Sequence, residues 1–180
     1  LKDKGLNVIF EVCDVEKISD IDRISGAVSK KIDHLDVLIN NAGINIEPAS
    51  IKIENINLKI FEKIMNVNLR GSLYMCSRFI PMLKKSNDAR IINFSSGLGQ
   101  LSLPRTGPYP SYSISKTAVN QLTWFLADEL KDTTVKVFSV DPGWVKTDLG
   151  GPDAMLEINE GIDTPVWLAT EDASKLKSGF

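Results

Sequence analysis

The sequence has little of what metal centres and disulfide frameworks require. One histidine, His34, stands alone among 180 residues, in a KIDHLD turn ahead of a strand-like run. With no cysteine, second histidine or acidic cluster beside it, it supplies no coordination shell, and no metal is assigned. Two cysteines, Cys13 and Cys76, make no disulfide framework. Both sit in apolar contexts, VIFEVC and LYMC, and read as small buried hydrophobes in a reducing cytoplasm. No apolar stretch approaches the roughly 18 residues of a membrane span. The opening LKDKGLNV lacks the charged, apolar and small-residue order of a secretory signal. Formal net charge is -2 without a Lys/Arg run, so nothing points to nucleic acid or an anionic membrane surface. What remains is an ordinary globular balance, 43% hydrophobic and 24% charged, in a length that suits one domain over residues 1–180.

Strands and helices alternate along the chain. Residues 7–15, NVIFEVCDV, mix β-branched and aromatic residues and predict a strand. Residues 17–32 place Ile18, Ile21, Ile24, Val28 and Ile32 at helical spacing. Residues 36–39 form a short apolar run that stops at NNAG. Residues 57–86 read as one long helix, which Pro81 bends or closes. Residues 90–94 and 135–140 are further strands, stopped by Ser95–Ser96–Gly97 and Asp141–Pro142–Gly143. A helix over 111–130 lies between them. A Gly/Pro-rich loop, 144–160, leads to a last helix near 160–170, and the final SGF reads as a strand beginning. This order predicts an α/β fold, a Rossmann-like doubly wound parallel sheet with right-handed crossovers. NNAG, SSG and DPG all fall past the carboxyl ends of strands, where open parallel sheets bind ligands.

Tyr112 and Lys116, in YSISK, share a helix face at i and i+4. A free tyrosine has a pKa near 10, and an ammonium one turn away is expected to lower it. Such a pair donates a proton to a carbonyl oxygen or takes one from an alcohol. Tyr-x-x-x-Lys alone is a weak signal, and an exposed Tyr beside a solvated Lys is the plain alternative. Tyr109 lacks the cation, since Ser113 lies four residues on. Tyr74 has Arg78 at that spacing but sits inside the long helix, away from the strand ends. In NNAG, Ala42 and Gly43 have little or no side chain, so a flat ligand can approach the backbone closely.

NNAG after a strand, NVNLRG in the next helix, a strand ending FSSG, YSISK and DPGWVKT occur in the order of the short-chain dehydrogenase/reductase family. The sequence resembles that family from about Val8 to Val166, and PGWVKTDLGGPDA resembles its carbonyl-reductase-like members. The resemblance implies an NAD(P)-dependent oxidoreductase acting on a small carbonyl or alcohol substrate. Tyr112 is similar to the catalytic acid/base. Lys116 is similar to the residue that lowers the tyrosine pKa and holds the nicotinamide ribose. Ser96 resembles the serine that contacts the substrate carbonyl, and Asn68 the asparagine that positions a relay water. Asp14 and Val15 resemble the pair that meets the adenine. Asn41, Ala42 and Gly43 resemble the adenosine-side lining, with Asn40 structural. Pro142, Gly143, Val145 and Thr147 resemble the segment that binds the nicotinamide carboxamide. Ser95 and Ser96 face opposite ways on an extended chain, and motif alignment selects Ser96. The Ser96–Tyr112 spacing implies extra residues in the loop LPRTGPYP, at the substrate mouth.

The family's glycine-rich TGxxxGxG turn is absent. The only Gly-x-Gly, Gly97–Leu98–Gly99, opens no phosphate cradle of the kind found at a helix N-terminus. The expectation is therefore a longer chain, this sequence lacking the first two strands and cut again near Phe180. A chain truly beginning at Leu1 is expected to bind the cofactor weakly. The NAD/NADP determinant lies on the second strand, so only the resemblance favours NADP. A non-catalytic dinucleotide-binding regulator on the same fold is the alternative, and a lyase or epimerase a weaker one. Loop 144–160 reads as a mobile lid, with Trp144, Leu149, Met155 and Leu156 as an apolar wall or as simple packing. The stripes on helices 57–86 and 111–130 fit a homodimer or homotetramer face, or packing on the sheet.

Overall fold

The computed structural model describes residues 4–102 and 107–179; the first half of the LPRTGPYP insert lies outside them. Three strands, β1 (Val37–Asn40), β2 (Arg90–Phe94) and β3 (Lys136–Val140), pair in parallel in the order β1-β2-β3. Asn40 lies beside Asn93, and Asn93 beside Ser139. Successive residues of β2 face opposite layers. Ile91 joins Leu38, Phe79, Leu83 and Val137 in one core, and Ile92 joins Phe138, Val140 and Leu168 in the other. Both faces of β2 are thus covered, which is why it reads as an unbroken apolar run, while Ile39 of β1 is 45% exposed. Helices α1 (Ile18–Ser29), α3 (Ser72–Leu83) and α4 (Pro110–Glu129) cover the first face. Helix α6 (Asp163–Thr170), after the short α5 (Ile158–Gly161), covers the second. This is the Rossmann-like parallel architecture expected.

Residues 7–14 depart from expectation, forming no strand. A strand needs a neighbour for its backbone donors and acceptors, and among the described residues this segment pairs with none. Ile9, Phe10 and Val12 are 60%, 81% and 71% exposed. Arg23 of α1 straps the segment instead, donating to the Val12 carbonyl and pairing with Glu11 at 3.6 Å. Cys13, on this segment, is only partly buried, while Cys76 is fully so.

The helix expected over 57–86 is continuous but not uniform. It runs as α2 (Leu58–Met65), a π-helical turn (Asn66–Gly71) and α3. The wider turn inserts one residue without breaking the apolar stripe, so periodicity does not reveal it. Pro81 falls in the last turn of α3. Gly179 forms an isolated parallel bridge to Phe138, and its N–H donates to the Val137 carbonyl at 3.0 Å.

A polar ladder crosses the first core. The Asn40 amide donates to Asn93 Oδ1 at 2.8 Å and to Cys76 Sγ at 3.2 Å. Asn93 Nδ2 donates to Thr123 Oγ1 at 3.0 Å, and that hydroxyl donates to the Val119 carbonyl at 2.9 Å. Asn93 and Thr123 are wholly buried. Thr123→Val keeps the shape but leaves the Asn93 amide unpaired. The expected loss is about 1–3 kcal/mol, read from urea unfolding with an unchanged denaturant slope.

Candidate active site

The carboxyl edge of the sheet brings four of the predicted residues together. Tyr112 and Lys116 stand on the first turns of α4, and Lys116 Nζ lies 5.6 Å from the centre of the Tyr112 ring. Lys116 is 4% exposed. Its ammonium donates to the Phe94 carbonyl at 2.8 Å, reaching across the end of β2. Ser96 accepts the Leu98 N–H at 3.2 Å, and its side chain lies on the Tyr112 side, where it favours the phenolate. Ser95 faces the other way, its hydroxyl donating to the Lys116 carbonyl at 3.2 Å. Of the two serines, Ser96 is thus the one not committed to the α4 backbone.

A 3₁₀ turn over Gly97–Gly99 seats this serine on α4. A side chain at Gly99 would lie 2.7 Å from the Lys116 carbonyl carbon, so only glycine permits the approach. The Gly99 carbonyl accepts Thr117 Oγ1 at 3.1 Å and Asn120 Nδ2 at 3.2 Å. Gly97–Leu98–Gly99 is thus a packing device.

Asn68, 1% exposed, sits inside the π turn. Its side chain accepts the Ile44 N–H at 2.8 Å and donates to the Ile44 carbonyl at 3.0 Å and to Ser115 Oγ at 3.0 Å. Ser115 donates in turn to the Tyr112 carbonyl at 2.7 Å. Asn68 therefore ties the chain after NNAG to the tyrosine helix. Neither Ser115 nor Ile44 was legible as a site residue, because a serine inside YSISK carries no signal of its partner 47 residues away.

The electrostatics differ from expectation at Tyr112. Its pKa is raised: burial disfavours the phenolate most, and the Asp141 carboxylate adds to this against the Ser96 hydrogen bond. No lowering by the lysine shows, because Lys116 is itself buried and its pKa falls to about 8. The i, i+4 spacing supplied adjacency, but the low-dielectric surroundings decide both titrations.

The expected cofactor residues spread along the same edge. Asp14 is engaged locally: its carboxylate accepts the Glu16 N–H at 3.0 Å and pairs with Lys17 at 3.2 Å, and these hold its pKa low. Val15 packs on Gly71, where a side chain would come within 3.0 Å of Val15 Cβ. Asn41 and Ala42 are exposed. A side chain at Gly43 would sit 3.4 Å from Lys116 Nζ and 3.6 Å from Asn68 Oδ1, so this glycine keeps one side of the ammonium open. Pro142 is half-buried and Gly143 exposed. Gly143 takes a φ of 77°, a conformation suited to glycine. Val145 bridges to Leu156, and the Thr147 hydroxyl accepts the Gly150 N–H at 3.1 Å. Residues 144–156 thus fold on themselves, with Trp144 Nε1 donating to the Gly150 carbonyl at 2.8 Å. Of the other tyrosines, Tyr109 is the N-cap residue of α4. Tyr74 belongs to a surface cluster in which Arg78 bonds both it and Asp22.

Burial of Lys116 sets a pH dependence of stability. Its folded pKa of about 8 lies below the unfolded value of about 10.4. The destabilisation is fully present below the folded value and fades as pH rises through that window, because there only the unfolded chain holds the proton. Relative to Lys116→Met, the native chain is expected to gain about 1–2 kcal/mol between about pH 7 and pH 9.5. Urea unfolding of both proteins at the two pH values measures it.

Residues 1–154 match the family described as short chain dehydrogenase. The short-chain dehydrogenase/reductase tropE of Talaromyces stipitatus is 33% identical over 169 residues, covering 84% of this chain and 61% of that protein. The chain thus spans less than two thirds of that relative's length. An NADPH-bound carbonyl reductase from chicken fatty liver aligns with a TM-score of 0.83 at 29% identity, over 97% of this chain and 74% of that one. The carbonyl reductase Sniffer of D. melanogaster aligns at 0.82 and 27%, over 97% and 76%. With its parallel sheet and these relatives, the chain belongs to the short-chain dehydrogenase/reductase family, among members resembling carbonyl reductases.

Proposed function

We propose that the protein is an NAD(P)-dependent oxidoreductase that interconverts a carbonyl and an alcohol, with Tyr112 as general acid/base. The observation that carries this reading is the convergence of Ser96 and Tyr112 beside the buried Lys116 ammonium, whose Nζ lies 5.6 Å from the tyrosine ring centre. The nicotinamide of a bound cofactor supplies or accepts the hydride. Residues present here fit its ribose side: Gly43 leaves Lys116 Nζ approachable, and Phe94 is a single carbonyl acceptor for an ammonium with three donors. Lys116 would hold the ribose hydroxyls. Asn41, Ala42 and Gly43 would line the adenosine side with Asp14 and Val15, and Pro142, Gly143, Val145 and Thr147 the carboxamide. NADP is favoured over NAD by the resemblance to an NADPH-bound carbonyl reductase.

The raised pKa keeps the Tyr112 phenol protonated at neutral pH, ready to donate to a carbonyl oxygen during reduction. Ser96 accepts the Leu98 N–H, which leaves its own proton free to stabilise the developing oxyanion. The nearby ammonium then steadies the phenolate left behind. Asn68 contributes by holding Ile44 and Ser115, fixing the wall on which a relay water would rest.

The apolar groove lined by Leu69, Leu73, Ile114 and Phe125, with Phe125 67% exposed, supports a second copy of the chain as partner. Phe125→Glu is expected to halve the mass seen by light scattering, and an unchanged mass rules out this face.

The central test uses the full-length protein, NADPH, and benzil, acetophenone and hexanal as probe carbonyls. Tyr112→Phe is expected to lower kcat by about 10²–10⁴ while NADPH binding, read by fluorescence, persists. Turnover that survives this substitution overturns the assignment of Tyr112. NADPH binding without turnover of any probe in the native protein favours the regulator.

A further inference from the structure

Helix α4 carries Tyr112, yet its start is not capped from within. Its N-cap residue, Tyr109, makes no side-chain capping bond, and Pro110 opens the helix without an N–H. Ser111 therefore presents the first backbone donor, in a wholly buried position. An unmet donor there is costly. The partner comes from far along the chain: the Ser111 N–H donates to Glu47 Oε2 at 2.8 Å, and its hydroxyl donates to Glu47 Oε1. Glu47 is 7% exposed, so this carboxylate is committed to the helix.

The segment bearing Glu47 is fixed on both sides. Ile44 is held through its N–H and carbonyl by Asn68. Ser50 adopts a φ of 62°, a left-handed conformation rare outside glycine, and its N–H donates to the Pro108 carbonyl at 2.8 Å. Residues 44–50 thus form a bracket with Asn68 at one end and the first turn of α4 at the other.

We propose that Glu47 is a positioning residue for Tyr112: an N-cap supplied in trans that sets the tyrosine hydroxyl against Ser96 and in register with Asn68. The proposal rests on the oxidoreductase reading above. A carboxylate at this helix end satisfies two donors at once and meets the positive pole of the dipole. Removing it lets the first turn fray while the rest of α4, clamped by Ser95 and Gly99, stays in place.

The experiment compares Glu47→Ala, Glu47→Gln and Ser111→Ala in the full-length protein, with benzil and NADPH as probes. Glu47→Ala is expected to lower kcat about 10–100-fold with little change in the KM for NADPH, since a displaced acid costs the chemical step. Glu47→Gln keeps an acceptor for the N–H and a donor for the serine oxygen, and is expected to recover kcat to within about threefold of native. Amide exchange over 110–113 should rise about tenfold in Glu47→Ala and remain native elsewhere in α4. A lower unfolding temperature with unchanged kcat overturns the proposal, leaving Glu47 a purely structural cap. If Glu47→Ala does not fold, Ser111→Ala, which loses only the hydroxyl bond, carries the same kcat test. If the native protein turns over no carbonyl, the oxidoreductase reading fails by itself, and exchange at 110–113 still decides whether Glu47 fixes this turn.

Discussion

A buried ammonium organises this site. Lys116 lies in the interior with the Phe94 carbonyl as acceptor, and burial is the sole cause of its lowered pKa. Among the described residues no counter-charge offsets the desolvation, which makes the position costly for the fold. A carboxylate partner would relieve that cost and at the same time neutralise the field at Tyr112. Left uncompensated, the cation has its strongest interaction with whatever negative charge arises beside it, a phenolate or an oxyanion. Preorganised charge of this kind acts strongly because little solvent is left to screen it.

Carrying that ammonium to the end of β2 constrains everything around α4. The helix must lie against the turn that follows the strand, and Gly99 is the residue that permits it. Once there, the helix is gripped on two sides. Ser95 and Gly99 bond its Lys116 carbonyl, Thr117 and Asn120, while Asn68 reaches Ser115 from the π turn. Tyr112, Ser115 and Lys116 share one buried face at i, i+3 and i+4, so one side of the helix carries both its anchor and the proposed acid/base pair. The adjacent serines that follow β2 divide the same labour: Ser95 anchors, and Ser96 faces the tyrosine.

The three paired strands were legible within a residue or two because burial on both faces writes an apolar run that is local in sequence. Residues 7–15 carry the same composition and form no strand, since composition records a preference and not the presence of a partner. The long helix was legible in extent but not in its π turn, because one inserted residue leaves a wide apolar stripe intact. YSISK, NNAG and SSG were legible as a set because family motifs preserve order, and the sheet then brings their ends together. The sign of the Tyr112 shift was not legible, since spacing fixes which groups are neighbours while burial fixes how they titrate. Glu47 left no trace: a cap that acts 64 residues away has no local signature.

The π turn ties the parts of the site together. Its Asn68 fixes the chain that follows NNAG and, through Ser115, the tyrosine helix. Its last residue, Gly71, lies so close to Val15 that an added methyl would fall 3.0 Å from Val15 Cβ and 3.2 Å from its carbonyl oxygen. Val15, expected on the adenine side, is therefore seated on the same turn as Asn68. The π turn thus carries two contacts from one short stretch: the Asn68 side chain on Ile44 and Ser115, and the bare Gly71 against Val15.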